Sequence, residues 1–175
     1  MHLSREPGGT VVKTTSLEAA VKTALQSVMD PEIPVVSVLD MGMIREIDVD
    51  GDSARIVVLP TFVGCPAVGV IKEDVARAVR AVVGIDRVVV ETSFSPPWTS
   101  ARITPEGRRK LKDFGLAPPT GRGPVLISDI GLPAATCPFC GSTRTHSENL
   151  FGPTPCRAVF YCNDCRNPFE QFKPV

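Results

Sequence analysis

The sequence predicts an α+β fold, a small mixed β-sheet packed by helices and followed by a small separate cysteine module. Three observations carry that expectation. Residues 53–60 and 86–92 read as strands on either side of a helical stretch, and a strand–helix–strand crossover in one sheet makes its two strands parallel. Residues 43–50 and 53–60 meet at Asp50-Gly51-Asp52, a hairpin signal that adds an antiparallel pair. Five of the six cysteines lie at or beyond Cys137, so the chain divides into two parts.

Residues 1–15 contain no apolar run; they read as a disordered N-terminus and not as a signal peptide. From Leu17 the apolar positions are Leu17, Ala20, Val21, Ala24, Leu25, Val28 and Met29, the spacing of an amphipathic helix with Ser16 as its N-cap. Asp30-Pro31 ends it, because the residue before a proline avoids the helical region. Residues 31–43 carry too many prolines for a central strand and read as an ordered loop. The hairpin follows. After Pro66 the positions Val68, Ile71, Val75, Ala78, Val79 and Val82 predict a second helix capped by Gly84. Residues 86–92 are the third strand. Residues 93–103 form a loop holding the only tryptophan, Trp98. Thr104-Pro105-Glu106 supplies a cap, a first-turn proline and a first-turn acid for a third helix that stops at Gly115. The expected division is therefore an α/β domain over 16–116, a Pro/Gly-rich linker over 117–134 and a cysteine ribbon over 135–175.

Composition removes several classes of function. Nineteen basic residues balance nineteen acidic ones, so no global field draws the chain to nucleic acid or anionic lipid. Arg108, Arg109, Lys110 and Lys112 share a helix with Glu106 and Asp113 and read as its solvated face. The longest uncharged run, between Arg55 and Lys72, is broken by proline and glycine and is too short for the roughly 20 residues of a membrane span. A soluble, cytoplasmic protein is expected, without membrane or nucleic-acid partners. In a reducing compartment, clustered cysteines point to metal before disulfides. The sequence has no phosphate-binding glycine loop and no hydrolase elbow. No histidine falls between His2 and His146, so the first domain has no Cys–His dyad and is not expected to be an enzyme.

Cys137 and Cys140 form one C-x2-C knuckle, and Cys162 with Cys165 forms another. Two thiolates at that spacing face one ion, and four close a tetrahedral site, so a structural Zn2+ ribbon is expected; an Fe–S cluster on the same four residues is the alternative. Gly141 and Asn167 are the residues expected to take the left-handed turns after the knuckles. Two intact knuckles need no fifth donor, so Cys156 reads as ribbon packing and His146 as a surface residue, each a second-choice metal ligand.

Cys65, in TFVGCPAVGV, is the sixth cysteine. With Pro66 as the first helical residue it becomes the N-cap, where free backbone N–H groups and the helix dipole lower a thiol's pKa. The competing reading is an inert cysteine closing the strand–helix turn, and spacing alone leans that way. Asp30, Glu32 and Asp40 lie on a loop that can fold toward the same end of the sheet, with capping and turn formation as their ordinary role.

DPEIPVVSVLDMGMIREI, TFVGCPA and SPPWTSARITPEGRRKLKDFGLAPP together resemble the SufT-like branch of the Fe–S cluster assembly (FSCA) domain superfamily. The continuation into a cysteine ribbon is similar to the PaaD family, accessory proteins of the phenylacetyl-CoA epoxidase in phenylacetate degradation. The resemblance covers nearly the whole chain from about residue 17. It implies an FSCA-like first domain and maturation of a metal centre, Fe–S or di-iron, instead of catalysis on the aromatic substrate. It also implies that Cys65, with Asp30 and Glu32, handles transient iron or a cluster, shared across a homodimer because one thiolate is a poor ligand set. The implied partners are the di-iron oxygenase and Fe–S reductase subunits of the epoxidase, with the ribbon docking the client. The alternative is a structural adaptor subunit in which Cys65 only packs and an exposed Trp98 anchors the interface.

Overall fold

The computed structural model describes residues 11–120, 132 and 134–174. Residues 1–10 of the expected N-terminal tail, and 121–131 and 133 of the expected linker, lie outside the described residues. The first helix, α1 (Val11–Leu25), starts before the expected cap, so Ser16 lies inside it. The helix also ends earlier than expected, closing on tight bonds from Gln26 N–H to the Thr23 carbonyl and from Ser27 N–H to the Ala24 carbonyl, both at 3.1 Å. The residues that follow are claimed by strand pairing. β1 (Met29–Asp30) pairs antiparallel with β2 (Ile33–Ser37), in place of the expected ordered loop. Pro34 is tolerated because it falls outside the paired register of this two-stranded ribbon and owes the ladder no N–H.

The main sheet matches the expected mixed topology. β3 (Ile44–Asp50) pairs antiparallel with β4 (Ser53–Val58), turning at Gly51 with φ of 60°. β4 pairs parallel with β5 (Arg87–Thr92), and α2 (Val68–Arg80) makes the crossover. Val21 and Leu25 of α1, Ile71, Val75 and Val79 of α2, and Ala54, Ile56 and Val58 of β4 close one hydrophobic core. α3 (Pro105–Asp113) is capped as its sequence predicts: Thr104 Oγ1 accepts from Gly107 N–H at 2.9 Å, with Pro105 in the first turn. Gly107 must lack a side chain there, since a Cβ would fall 2.6 Å from the Asp40 carbonyl oxygen. Lys110 on α3 then donates to Asp40 at 2.7 Å. Burial pushes the Asp40 carboxyl up, but Lys110 and the Ser37 N–H and hydroxyl outweigh it and hold the group below the ordinary range. Asp40 is thus spent on holding α3.

The chain leaves α3 through Gly115, at φ of 89°, and forms β6 (Leu116–Ala117). This short strand joins the second module. With β7 (Thr145–Asn149), β8 (Arg157–Cys162) and β9 (Pro168–Phe172) it makes a four-stranded sheet in the order β6-β9-β8-β7. β6 runs parallel to β9, pairing Leu116 with Glu170 and Ala117 with Gln171. The ribbon has its own small core, built on Phe160 and Phe169, whose rings stack at 5.7 Å. Phe172, however, belongs to the core of the first domain. Its ring meets Trp98 in a T-shaped contact at 5.7 Å, and Trp98 Nε1 donates to the Met41 carbonyl at 2.8 Å. Trp98 is only 5% exposed, which overturns its reading as a surface anchor: the ring is used inside the chain. No helix among the described residues is long and apolar enough to cross a membrane.

Truncating Phe172, 2% exposed, removes an aromatic side chain shared by the two modules. Phe172→Ala is expected to cost about 3–5 kcal/mol, whereas Val83→Ala, at a position 93% exposed, should stay within about 0.5 kcal/mol. Urea denaturation of the three proteins checks both.

Candidate metal and thiol sites

The two knuckles are built alike. Gly141 N–H donates to the Cys137 carbonyl, and Arg166 N–H to the Cys162 carbonyl, each at 2.9 Å. In return Cys137 N–H donates to the Ser142 carbonyl at 2.9 Å and Cys162 N–H to the Asn167 carbonyl at 3.1 Å. Each pattern needs a left-handed residue four positions after the first cysteine. Gly141 supplies it as expected at φ of 77°, but at the second knuckle Arg166 does so at 57°, not Asn167. Arg166 owns the N–H that must turn back onto Cys162, so position in the turn overrides residue preference. Asp164 accepts from both Ser142 and Arg144, tying the second knuckle to the segment between the first knuckle and β7.

The four sulfurs of Cys137, Cys140, Cys162 and Cys165 lie within 4.8 Å of one another. Cys137 and Cys165 are 3.7 Å apart, and Cys140 and Cys162 are 3.6 Å apart. A tetrahedral ion bound to thiolates at about 2.3 Å puts its sulfurs roughly 3.8 Å apart, so the donor set fits. The thiols split in acidity. The Cys165 N–H, then the neighbouring sulfurs, pull Cys162 down. The Ser142 N–H favours the Cys140 thiolate, but desolvation and its three sulfur neighbours prevail and push it up to about 11. Four thiolates this close carry charge that only a cation offsets, which is the chemistry of a closed structural metal site. His146 and Cys156 lie outside this cluster; His146 sits 2.8 Å from Glu148.

Cys65 sits elsewhere, and not as expected. The N-cap of α2 is Ala67, in helical conformation, and no side chain caps that end. Cys65 belongs to the turn before it, with its N–H donating to the Phe62 carbonyl at 3.1 Å. Its thiol is pushed up, chiefly by burial; the Ala67 N–H works against this, while Asp30, Cys156 and Glu32 add to it. The expected lowering by the helix N-terminus is therefore overturned, because the half-buried sulfur loses more hydration than one backbone N–H returns. Asp30 is buried beside it, and its Oδ1 accepts from the N–H groups of Glu32 at 2.8 Å and Ile33 at 3.2 Å. Desolvation dominates there too and raises its carboxyl above the ordinary 3.8.

Glu32 is pinned from the other module. Arg157, at the start of β8, donates to the Glu32 carbonyl at 2.5 Å and to the Glu170 carboxylate at 3.0 Å. This brings Cys156, one residue earlier, opposite Cys65. Glu32, Thr61, Phe62, Cys65, Thr154 and Cys156 line one small cavity where the modules meet. Sequence reasoning missed Arg157 and the position of Cys156. The signal available was that Cys156 stood outside the knuckle spacing.

A small α+β domain carrying a four-cysteine ribbon is the class that this fold and site define. Residues 18–92 match the family model described as iron–sulfur cluster assembly protein, and residues 128–173 match the PaaD zinc beta ribbon domain. The chain belongs to the PaaD family. It is 35% identical over 155 residues, 86% of this chain and 89% of the relative, to a protein of Escherichia coli named as a putative subunit of 1,2-phenylacetyl-CoA epoxidase. Over 88 residues, half of this chain and 83% of the relative, it is 38% identical to an Fe-S protein maturation auxiliary factor of Porphyromonas gingivalis. A solved structure from Bacillus anthracis, a domain of unknown function DUF59, superposes with a TM-score of 0.55 at 25% identity, covering 58% of this chain and 97% of that one.

Two outcomes follow from the geometry. Stripping metal from the ribbon removes binding free energy on the order of 10 kcal/mol from its folding. Because β9 carries Phe172 onto Trp98, chelation should red-shift the emission of this single tryptophan, and added Zn2+ should reverse the shift. Asp30 gives a pH signature. Its folded pKa is raised, so the stability it contributes is complete below 3.8 and is lost as pH rises through the folded value. Asp30→Asn, which keeps the acceptor oxygen, should match wild type below 3.8 and exceed it at neutral pH, as read by urea denaturation at several pH values.

Proposed function

We propose that this chain is a maturation factor for the metal centres of a multicomponent phenylacetyl-CoA epoxidase. It takes iron or an Fe–S cluster as cargo at Cys65, with Asp30 and Glu32 beside it, and docks the client through the zinc-loaded ribbon. The clients are the di-iron oxygenase and Fe–S reductase subunits, met in the cytoplasm, and the chain's role is accessory instead of catalytic. The observation that carries this reading is a half-buried thiol beside a buried carboxylate, in the part of the chain that matches an iron–sulfur cluster assembly family. Asp30 holds its turn through the Glu32 and Ile33 N–H groups, and a cation beside it would offset the burial that opposes its ionisation. Support for the client comes from the name of the Escherichia coli relative, a putative epoxidase subunit, together with relatives named as maturation and carrier proteins.

The test is co-expression of the oxygenase subunits with wild type or Cys65→Ala, followed by iron determination on the purified oxygenase. The variant must first show unchanged zinc content and unfolding. Oxygenase iron is expected to fall to the level found without this chain. Unchanged iron loading overturns the carrier reading and leaves Cys65 as a residue that closes a turn.

A further inference from the structure

A single thiol binds a metal weakly, and the ribbon cysteines are already committed to their own cluster. Cys156 is not one of them. It is half-buried at the entrance to β8, with Thr154 Oγ1 3.2 Å from its sulfur and its carbonyl accepting from Lys173 N–H at 2.9 Å. Its position is locked from three sides. Gly152 N–H donates to the Arg157 carbonyl at 2.9 Å, Arg157 reaches back to Glu32, and Lys173 Nζ donates to the Pro155 carbonyl at 2.8 Å. On the opposite wall Cys65 is held by its turn before α2. The cavity between them measures ≈ 10 Å³, room for about one water-sized guest.

From this placement we infer that Cys65 and Cys156 form one two-thiolate site for a soft or borderline divalent cation, assembled only where the two modules meet, at a cavity that Glu32 also lines. Each thiol gives its proton to solvent as its sulfur takes the ion. The second sulfur that Cys65 lacks thus comes from the same chain, not from a second copy. The ligand set stands on the cavity itself; only the identity of the cargo as iron rests on the maturation reading. The Arg157 guanidinium beside Cys156 favours its thiolate, while burial, the larger influence, keeps it protonated until an ion arrives.

The experiment uses the full chain with its ribbon filled by zinc, titrated with Co2+ without oxygen while retained zinc is counted. Wild type is expected to take one Co2+ per chain with a sulfur-to-cobalt charge-transfer band of two thiolates. Cys65→Ser and Cys156→Ser should each halve the band and weaken cobalt binding by ~10-fold or more. A band that Cys156→Ser leaves unchanged overturns the proposal, and half a cobalt per chain overturns it in favour of a site shared by two copies. Phenylarsine oxide supplies a second measurement that needs no metal affinity. Its arsenic forms two As–S bonds to a close thiol pair and releases one water, so one adduct by intact mass is expected on zinc-loaded wild type and none stable on either variant. An arsenical adduct that persists on Cys156→Ser also overturns it. If both thiols bind cobalt yet Cys65→Ala leaves oxygenase iron unchanged, the site stands and the maturation reading falls.

Discussion

The rings of Trp98 and Phe172 meet at 5.7 Å where the two modules of this chain join, and that contact fixes how everything around it is arranged. A cysteine ribbon has enough apolar surface for only a small core of its own. Here its last strand has two sides: Phe169 faces the ribbon core, and Phe172 is buried in the core of the first domain. β6 completes the arrangement by leaving α3 and pairing with β9, so a strand of the first domain forms the edge of the second module's sheet. The ribbon has a four-cysteine cluster able to hold a metal at one end and a borrowed core at the other.

The same docking separates the six thiols into two kinds of chemistry. Four face one another at distances that fit a tetrahedral ion, and each knuckle is braced by a matched set of backbone hydrogen bonds. The other two come from different modules and meet at a cavity beside a buried carboxylate. Burial raises both of these thiols. A thiol that must surrender a proton on ligation holds a metal less tightly at neutral pH than a preformed thiolate does. By that measure the Cys140 thiol of the ribbon, pushed up to about 11, must also give up its proton on ligation.

Much of the fold was legible because its signals are local. The Asp50-Gly51-Asp52 turn, the crossover through α2 and the Thr104-Pro105 start of α3 each depend on a few neighbouring residues. The failures are also informative. Ser16 looks like a cap, yet the helix runs through it from Val11. Residues 31–43 look too rich in proline for a central strand, yet Ile33–Ser37 pairs with Met29–Asp30, with Pro34 off the ladder. Cys65 looks like the cap of α2, but the turn ends two residues later at Ala67, and burial reverses the expected shift of its thiol.

By itself the sequence determined the mixed sheet, the third helix and the four clustered ribbon cysteines, since periodicity, turn chemistry and C-x2-C spacing act over a few bonds. It also carried the family, because the residues around Cys65 and the knuckles are contiguous strings. Only the tertiary structure decided that Trp98 is an internal anchor, that Asp40 holds α3, and that Arg157 reaches a carbonyl 125 residues away at Glu32. Those outcomes depend on how two separately patterned surfaces pack against each other. Neither Cys65 nor Cys156 carries in its own neighbourhood any record of the other, so their meeting is a property of the docked modules alone.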